Sequence, residues 1–343
     1  MQSKNVIILK NDAVGDLVHS LKAINNIIQD KEVNKITIFL SNLSKKFSFL
    51  FNDSKIDIKI LNYNLSIFEK IKLFYFILVS RVDKVFILAP KKYYYFLPIF
   101  FIRTKFYAVC INNINNYKRP PNFLRKFLFK YVINDRSAVF KRDSTSNIQE
   151  KLTSIENLKK NNLKINTNIS NELKSNLPKD FIYFHAKRKI LNELGWGINE
   201  LKFLFKELLN NCENIVLTKD IEKDKNTTIF KDNFNSFDFT TKKFNDKSQK
   251  IIFFDNIDGE DLYNTIRLSK KVIAFHGMMT NLASVNNKPV LDLFHCKIKN
   301  WNDYRNYRNS FYEFKPKYVG YDFIIPKKDI RKTIKKMKFS LKK

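Results

Sequence analysis

Asp12 and Asp16 lie four residues apart in the run LKNDAVGDLVHSLKAI, with Lys10 just ahead of them and His19 three residues beyond. Carboxylates and an imidazole this close can take a proton from a hydroxyl, because a positioned carboxylate is a competent general base. A second group lies far along the chain, where His185 is followed by the successive cations Lys187, Arg188 and Lys189. Such a loop suits a diphosphate that gains negative charge as a bond to it breaks. In FHGMMTN, His276 and Gly277 precede Thr280 and Asn281. Glycine permits close approach of the backbone, and a helix starting there offers amide hydrogens to a phosphate. Glu260, in IDGEDLYN, can meet ribose hydroxyls. Each has a plainer reading: Asp16 and Glu260 as helix caps, His19 as a surface residue, residues 187–189 as a solvated loop, and His276 as a cap before a glycine turn.

These residues need elements to hold them. Short β-branched runs (VIIL from Val6, KITIFL from Lys35, IDIKIL from Ile56, KVFILA from Lys84, FYAVCI from Phe106) alternate with helical patterns. Leu17, Leu21, Ile24, Ile27 and Ile28 share one helical face. From Asp143 to Pro178 the chain is rich in Asn, Ser, Lys and Thr and reads as a linker, with one helix around Ile148 to Leu158. A second series follows: FIYFHA from Phe181, NIVLT from Asn214, IIFF from Ile251, KVIAF from Lys271 and PVLDLF from Pro289, with helices near 199–209, near 260–268 and from Met278. Strands separated by helices imply parallel sheets covered on both sides. The expected fold is α/β: two facing Rossmann-like domains, residues 1–165 and 175–325, with a cleft at the carboxyl ends of their strands. Ile330, Ile334, Met337 and Leu341 mark one face of a last basic helix, residues 326–343, expected to pack back on the first domain.

The composition limits the alternatives. With 44% hydrophobic and 15% aromatic residues, the 343-residue chain is not disordered despite a net charge of +30. Only 6 glycines are present, and no G-x-x-x-x-G-K-[ST] or G-x-G-x-x-G string occurs. No D-x-D occurs, and neither the cysteines (110, 212, 296) nor the histidines (19, 185, 276, 295) have zinc spacing, so no metal or other cofactor is expected. The charge is uneven: residues 84–142 hold 13 Lys or Arg and one acid, and residues 326–343 hold 9 and one. The first stretch interleaves aromatics, as in KKYYYFLPIFFIRTKFY, which suits an anionic membrane surface better than nucleic acid, the plainer reading being a buried strand and helix with snorkelling lysines. The opening carries no signal-peptide pattern, and the longest apolar blocks, such as Tyr93 to Ile102, are half the length needed to span a bilayer. The expectation is a cytoplasmic monomer, peripheral at the inner face of the cytoplasmic membrane.

LKNDAVGDLVHSLKAI also resembles the opening motif of glycosyltransferase family 9, the lipopolysaccharide heptosyltransferases, in which a strand runs through a loop ending in Gly-Asp into a helix. FIYFHAKRKILNELGWGINELKFLFKEL and KVIAFHGMMTNLASVNNKPVLDLF resemble the first strand and the strongest signature of that family's second domain. The resemblance implies the GT-B architecture and metal-independent sugar transfer from a nucleotide-sugar donor to a glycolipid or polysaccharide acceptor. It implies Asp16 as the base, with Lys10, Asp12 and His19 at the acceptor. His185, Lys187, Arg188, Glu260, His276, Gly277, Thr280 and Asn281 would lie at the donor. Here Phe275 and His276 replace an acid and a hydroxyl, and Thr280 with Asn281 replaces a His. Two other readings stay open: a non-catalytic double Rossmann module that binds nucleic acid or another anionic polymer, and a nucleotide-sugar epimerase of the same architecture.

Overall fold

β1 (Lys4–Lys10) carries Val6, Ile7, Ile8 and Leu9, each at most 2% exposed, so both of its faces are covered. A strand buried on both faces belongs inside a parallel sheet flanked by helices. In the computed structural model, which describes residues 4–112, 122–135, 144–154, 165–210, 212–219, 228–245, 250–295, 300, 308, 310–316 and 318–341, β1 is central in such a sheet. Its companions are β2 (Val33–Ser41), β3 (Ile56–Leu61), β4 (Lys84–Ile87), β5 (Lys105–Asn112) and β6 (Lys130–Asp135), in the order β3-β2-β1-β4-β5-β6, all parallel. The strand order reverses at β1 and β4. In open α/β sheets the crevice at that reversal, outside the carboxyl ends of the strands, is where ligands bind.

The second sheet repeats the device. It contains β7 (Phe181–Ala186), β8 (Asn214–Lys219), β9 (Asn235–Asp238), β10 (Lys243–Asn245), β11 (Ile251–Asp255), β12 (Lys271–Phe275), β13 (Val290–Leu293) and β14 (Tyr321–Ile324). The order is β10-β9-β11-β8-β7-β12-β13-β14, antiparallel only between β10 and β9. Here the reversal falls between β7 and β12. The chain thus forms two Rossmann-like units of the GT-B type, Met1–Asn166 with Ile298–Lys315 and Thr167–Lys297 with Pro316–Lys343.

Several expectations change. The helix in the expected linker runs from Thr145 to Ser154 and belongs to the first unit: Leu152 is fully buried, and Asn26 Nδ2 donates to Thr153 Oγ1 at 3.3 Å. The last helix, Ile330–Leu341, belongs to the second unit. Ile330, Ile334 and Met337 enter the second core, and Trp196 Nε1 donates to the carbonyls of Lys327 and Lys328 at 3.1 Å. The run from Lys91 contributes as much to the core as to the surface: Tyr94 and Tyr95 are fully buried, and the Tyr95 hydroxyl donates to the Val109 carbonyl at 2.7 Å. β6, β9, β10 and β14 were not expected. β9 (NSFD) and β10 (KFN) are short and polar, so sheet pairing rather than β propensity decides them, while β6 (KYVIND) and β14 (YDFI) are short runs broken by charged or polar residues. Residues 113–121, 136–143, 155–164 and 301–307, which include parts of the basic aromatic stretch and of the linker, lie outside the described residues.

Candidate active site

The turn after β1 is built from side chains that hold its backbone. Asn11 is fully buried; its Nδ2 donates to the Asn62 carbonyl at 3.0 Å, and its Oδ1 accepts from the Tyr94 hydroxyl. Ser41 Oγ, at the end of β2, donates to the Asp12 carbonyl at 2.6 Å. The helix Val14–Ile28 then begins with Ala13 at the N-cap position. Asp16 is therefore in the first turn and does not cap the helix, and Gly15 is helical with no positive φ, so the turn needs no glycine there. A carboxylate in the first turn still gains from the positive end of the helix.

Lys10 is 1% exposed, and its Nζ meets Asp12 Oδ2 at 2.7 Å. An ammonium this deep needs a partner. Burial raises the Asp12 pKa to about 6; the Lys10 ammonium opposes the rise and the nearby Asp16 adds to it. Asp12 Oδ1 is buried without a hydrogen-bond partner. These three side chains border a cavity of about 580 Å³ at the β1–β4 reversal, closed on its other sides by Leu88, Ala89, Pro90 and Lys91 after β4 and by Val109 and Ile111 of β5. Asn134, Thr145 and Gln149 line it too, and each has a buried polar atom without a partner: Oδ1, Oγ1 and Oε1 respectively. Asn134 and Gln149 are only 2% exposed. Four orphaned polar atoms around one cavity suit a ligand with several hydroxyls, since such groups are costly to leave dry. His19 lies outside this lining. It is buried, and its ring packs 5.6 Å from that of Phe314, which forms one wall.

In the second unit the reversal gathers a different set. Lys187, just after β7, donates through Nζ to the His276 carbonyl at 2.5 Å, just after β12. Gly277 has φ +150°, a backbone conformation that favours glycine, and a Cβ there would displace the end of the Lys187 side chain, whose Nζ would lie 2.4 Å away. Thr280 Oγ1 and Asn281 Nδ2 donate to the Gly277 carbonyl at 2.7 and 3.0 Å and hold the start of the helix Met278–Val285. His276 donates from Nδ1 to Asp292 Oδ2 at 2.6 Å, and the Tyr321 hydroxyl donates to the same oxygen at 2.8 Å. Asp292 is fully buried with Oδ1 unpartnered, and its Oδ2 fixes the orientation of the imidazole. Arg188 is exposed at the start of the helix Arg188–Leu194. His185 is instead enclosed in the sheet, with Nδ1 2.9 Å from Thr218 Oγ1, which itself lies 2.5 Å from the Tyr183 hydroxyl. Glu260 accepts from the Asn168 amide at 2.7 Å, which ties the segment leading into the unit, while Asp258 caps the helix Gly259–Leu268.

No protein-family model matches the chain, and no curated protein does. Solved structures do. The ADP-heptose lipopolysaccharide heptosyltransferase II of E. coli superimposes with a TM-score of 0.65 over 99% of this chain and 98% of its own, at 12% identity. The fold is that of the heptosyltransferases. A glycosyl transferase family 9 protein from Veillonella parvula matches with a TM-score of 0.63 over 98% and 90% of the two chains, at 12% identity. The fold implied by the sequence motifs is thus found in three dimensions. The fold is shared equally with the UDP-GlcNAc 2-epimerase of Methanocaldococcus jannaschii, which matches this chain with a TM-score of 0.58 over 99% and 93% of the two chains at 12% identity.

The structure therefore brings Lys10, Asp12 and Asp16 together at one reversal and Lys187, His276, Gly277, Thr280 and Asn281 at the other. His19, His185 and Glu260 have supporting positions. Sequence reasoning missed Asn134, Thr145 and Gln149, which look like any polar residues of a strand and a helix. It also missed Asp292, although an acid inside the apolar run PVLDLF was a visible signal.

Proposed function

We propose that the protein is a glycosyltransferase that moves a heptose-like or related sugar from a nucleotide-sugar donor to a lipopolysaccharide core or another surface glycan. The observation that carries this is the cavity of about 580 Å³ at the β1–β4 reversal, with two carboxylates facing a set of unpartnered amide and hydroxyl groups. Asp16 accepts the proton of the acceptor hydroxyl. The freed oxygen attacks the anomeric carbon, the bond from that carbon to the diphosphate oxygen breaks, and the nucleoside diphosphate leaves with the electron pair. Asp12, Asn134 and Gln149 hold neighbouring acceptor hydroxyls, Lys10 keeps Asp12 in place, and His19 supports the Phe314 wall. In the second unit Lys187, Arg188 and the His276–Asp292 pair meet the diphosphate, and the helix start at Gly277 supplies amide hydrogens. The heptosyltransferase II named above is an ADP-heptose enzyme, which makes ADP-sugars the first donors to test. An acceptor carried on a lipid would bring the protein to an anionic membrane surface through the basic aromatic stretch 84–142.

The test is turnover of ADP-, UDP-, GDP- and CMP-sugars with extracted lipopolysaccharide cores. Release of the nucleotide (nucleoside diphosphate, or CMP from a CMP-sugar) that requires acceptor, and that falls at least a hundredfold in Asp16→Asn, is the expected result. The structural match to a 2-epimerase favours one second reading, sugar epimerisation. It would appear as turnover of the donor without acceptor.

A further inference from the structure

The helix Ile67–Val79 is apolar on two sides. Leu73 and Ile77 enter the core of the first unit. Ile67, Phe68, Ile71, Tyr75, Leu78 and Val79 are 53–73% exposed, and at 3.6 residues per turn they share one arc of about 120° on the far side. The ring of Phe74 lies 5.5 Å from that of Phe100, so this face continues into the next segment. There Phe100 and Ile102 are 63% and 84% exposed. Large apolar side chains gathered like this on a surface mark an interaction site.

Charge identifies the occupant. From Ile67 to Lys105 the chain has eight Lys or Arg and two acids. Both acids are engaged: Glu69 accepts from Ser66 in the helix cap, and Asp83 accepts from the Asn5 amide. Lys72, Arg81, Arg103 and Lys105 are exposed. A second copy of the chain would bring these cations against one another, whereas anionic headgroups would match them. We propose that this face, the outer arc of Ile67–Val79 with Phe100 and Ile102, lies shallowly in the surface of an anionic phospholipid bilayer. The inference shares the membrane with the proposed function but stands on exposure and charge, whichever reaction the protein performs.

The experiment is co-sedimentation of the full chain with vesicles of phosphatidylethanolamine and phosphatidylglycerol, and with vesicles of phosphatidylcholine. The wild type is expected on the phosphatidylglycerol vesicles only. The triple variant Phe68→Ser, Ile71→Ser, Leu78→Ser should lose at least about tenfold in partition with an unchanged thermal melt, since all three side chains face solvent. Equal binding by the variant, or equal binding of the wild type to both vesicle types, overturns the proposal. So does a wild-type dimer that ignores vesicles and that the variant converts to monomer, which would make the face a self-interface. Turnover with a water-soluble, lipid-free acceptor separates the two ideas. Vesicle binding without turnover removes the transferase reading alone, and turnover without vesicle binding removes this one alone.

Discussion

The carboxyl of Asp12 offers a direct measure of how dry the first cavity is. Its side chain is 13% exposed, and burial raises its pKa from the ordinary 3.8 to about 6. The native state therefore holds the Asp12 proton more tightly than the unfolded chain does. The sign follows from proton binding: this group's contribution to stability is greatest below pH 3.8 and declines as pH rises to about 6. At about 1.4 kcal/mol for each pH unit, the loss is about 3 kcal/mol, complete above pH 6. The difference in stability between wild type and Asp12→Asn should drift by that amount across the window and be flat outside it. The assay is a 13C titration of labelled aspartate carboxyls, with the Asp12 signal identified by its absence in Asp12→Asn. A midpoint near 6 is expected. Lys10→Met, which removes the principal opposing charge, should raise it, and Asp16→Asn, which removes a repelling charge, should lower it. A wild-type midpoint near 3.8 would refute the reasoning, because it would mean that the cavity hydrates Asp12 as bulk water does.

Four further outcomes follow from the geometry. Gly277→Ala should cost about 1–3 kcal/mol in a thermal melt and weaken binding of nucleoside diphosphate, because the residue sits at φ +150° with the Lys187 ammonium where the methyl would go. Asp292→Asn should weaken nucleoside diphosphate by about tenfold in calorimetry, as His276 loses a charged partner at 2.6 Å. Gln149→Leu should leave the melting temperature nearly unchanged while lowering kcat/KM for the acceptor about tenfold, because it removes an oxygen that is buried without a partner and only one long bond, from Nε2 to the Leu88 carbonyl at 3.5 Å. Ile77→Ala should destabilise by about 2–5 kcal/mol in urea while Ile71→Ala stays within about 0.5, since Ile77 is 2% exposed and Ile71 59%.

The architecture was legible because its central strands are apolar throughout and most of its helices are not. Val6 to Leu9 and Phe181 to Phe184 read as buried strands, and they are the central strands of the two sheets. The two glycine-bearing turns after strands were legible for the same reason, though only Gly277 proves to need glycine for its backbone. Edge strands such as Lys130–Asp135 were hidden, since Tyr131 and Ile133 face outward at 40% and 45% exposure and carry no burial signal. The outward helix Ile67–Val79 was hidden differently, because IFEKIKLFYFILV is apolar nearly all round and its buried side cannot be told from its exposed one. His185 misled because the end of a strand is not always its rim: it bonds within the sheet to Thr218 on β8.

The two units solve one problem in opposite ways. At the β1–β4 reversal the buried cation Lys10 is offset by Asp12, and the cavity keeps four oxygens short of donors: Asp12 Oδ1, Asn134 Oδ1, Thr145 Oγ1 and Gln149 Oε1. Three of the four can only accept, so the site calls for a ligand that donates hydrogen bonds. At the β7–β12 reversal the order is inverted. The buried acid Asp292 accepts from His276 Nδ1, the Lys187 ammonium meets the His276 carbonyl, and the helix Met278–Val285 points its amide end to the same turn. That site offers amide donors to a ligand that accepts, beside Asp292 Oδ1, which lacks a donor of its own. A polyol and a phosphate are complementary to these two demands, and a reaction that joins an acceptor hydroxyl to a sugar leaving a diphosphate uses both.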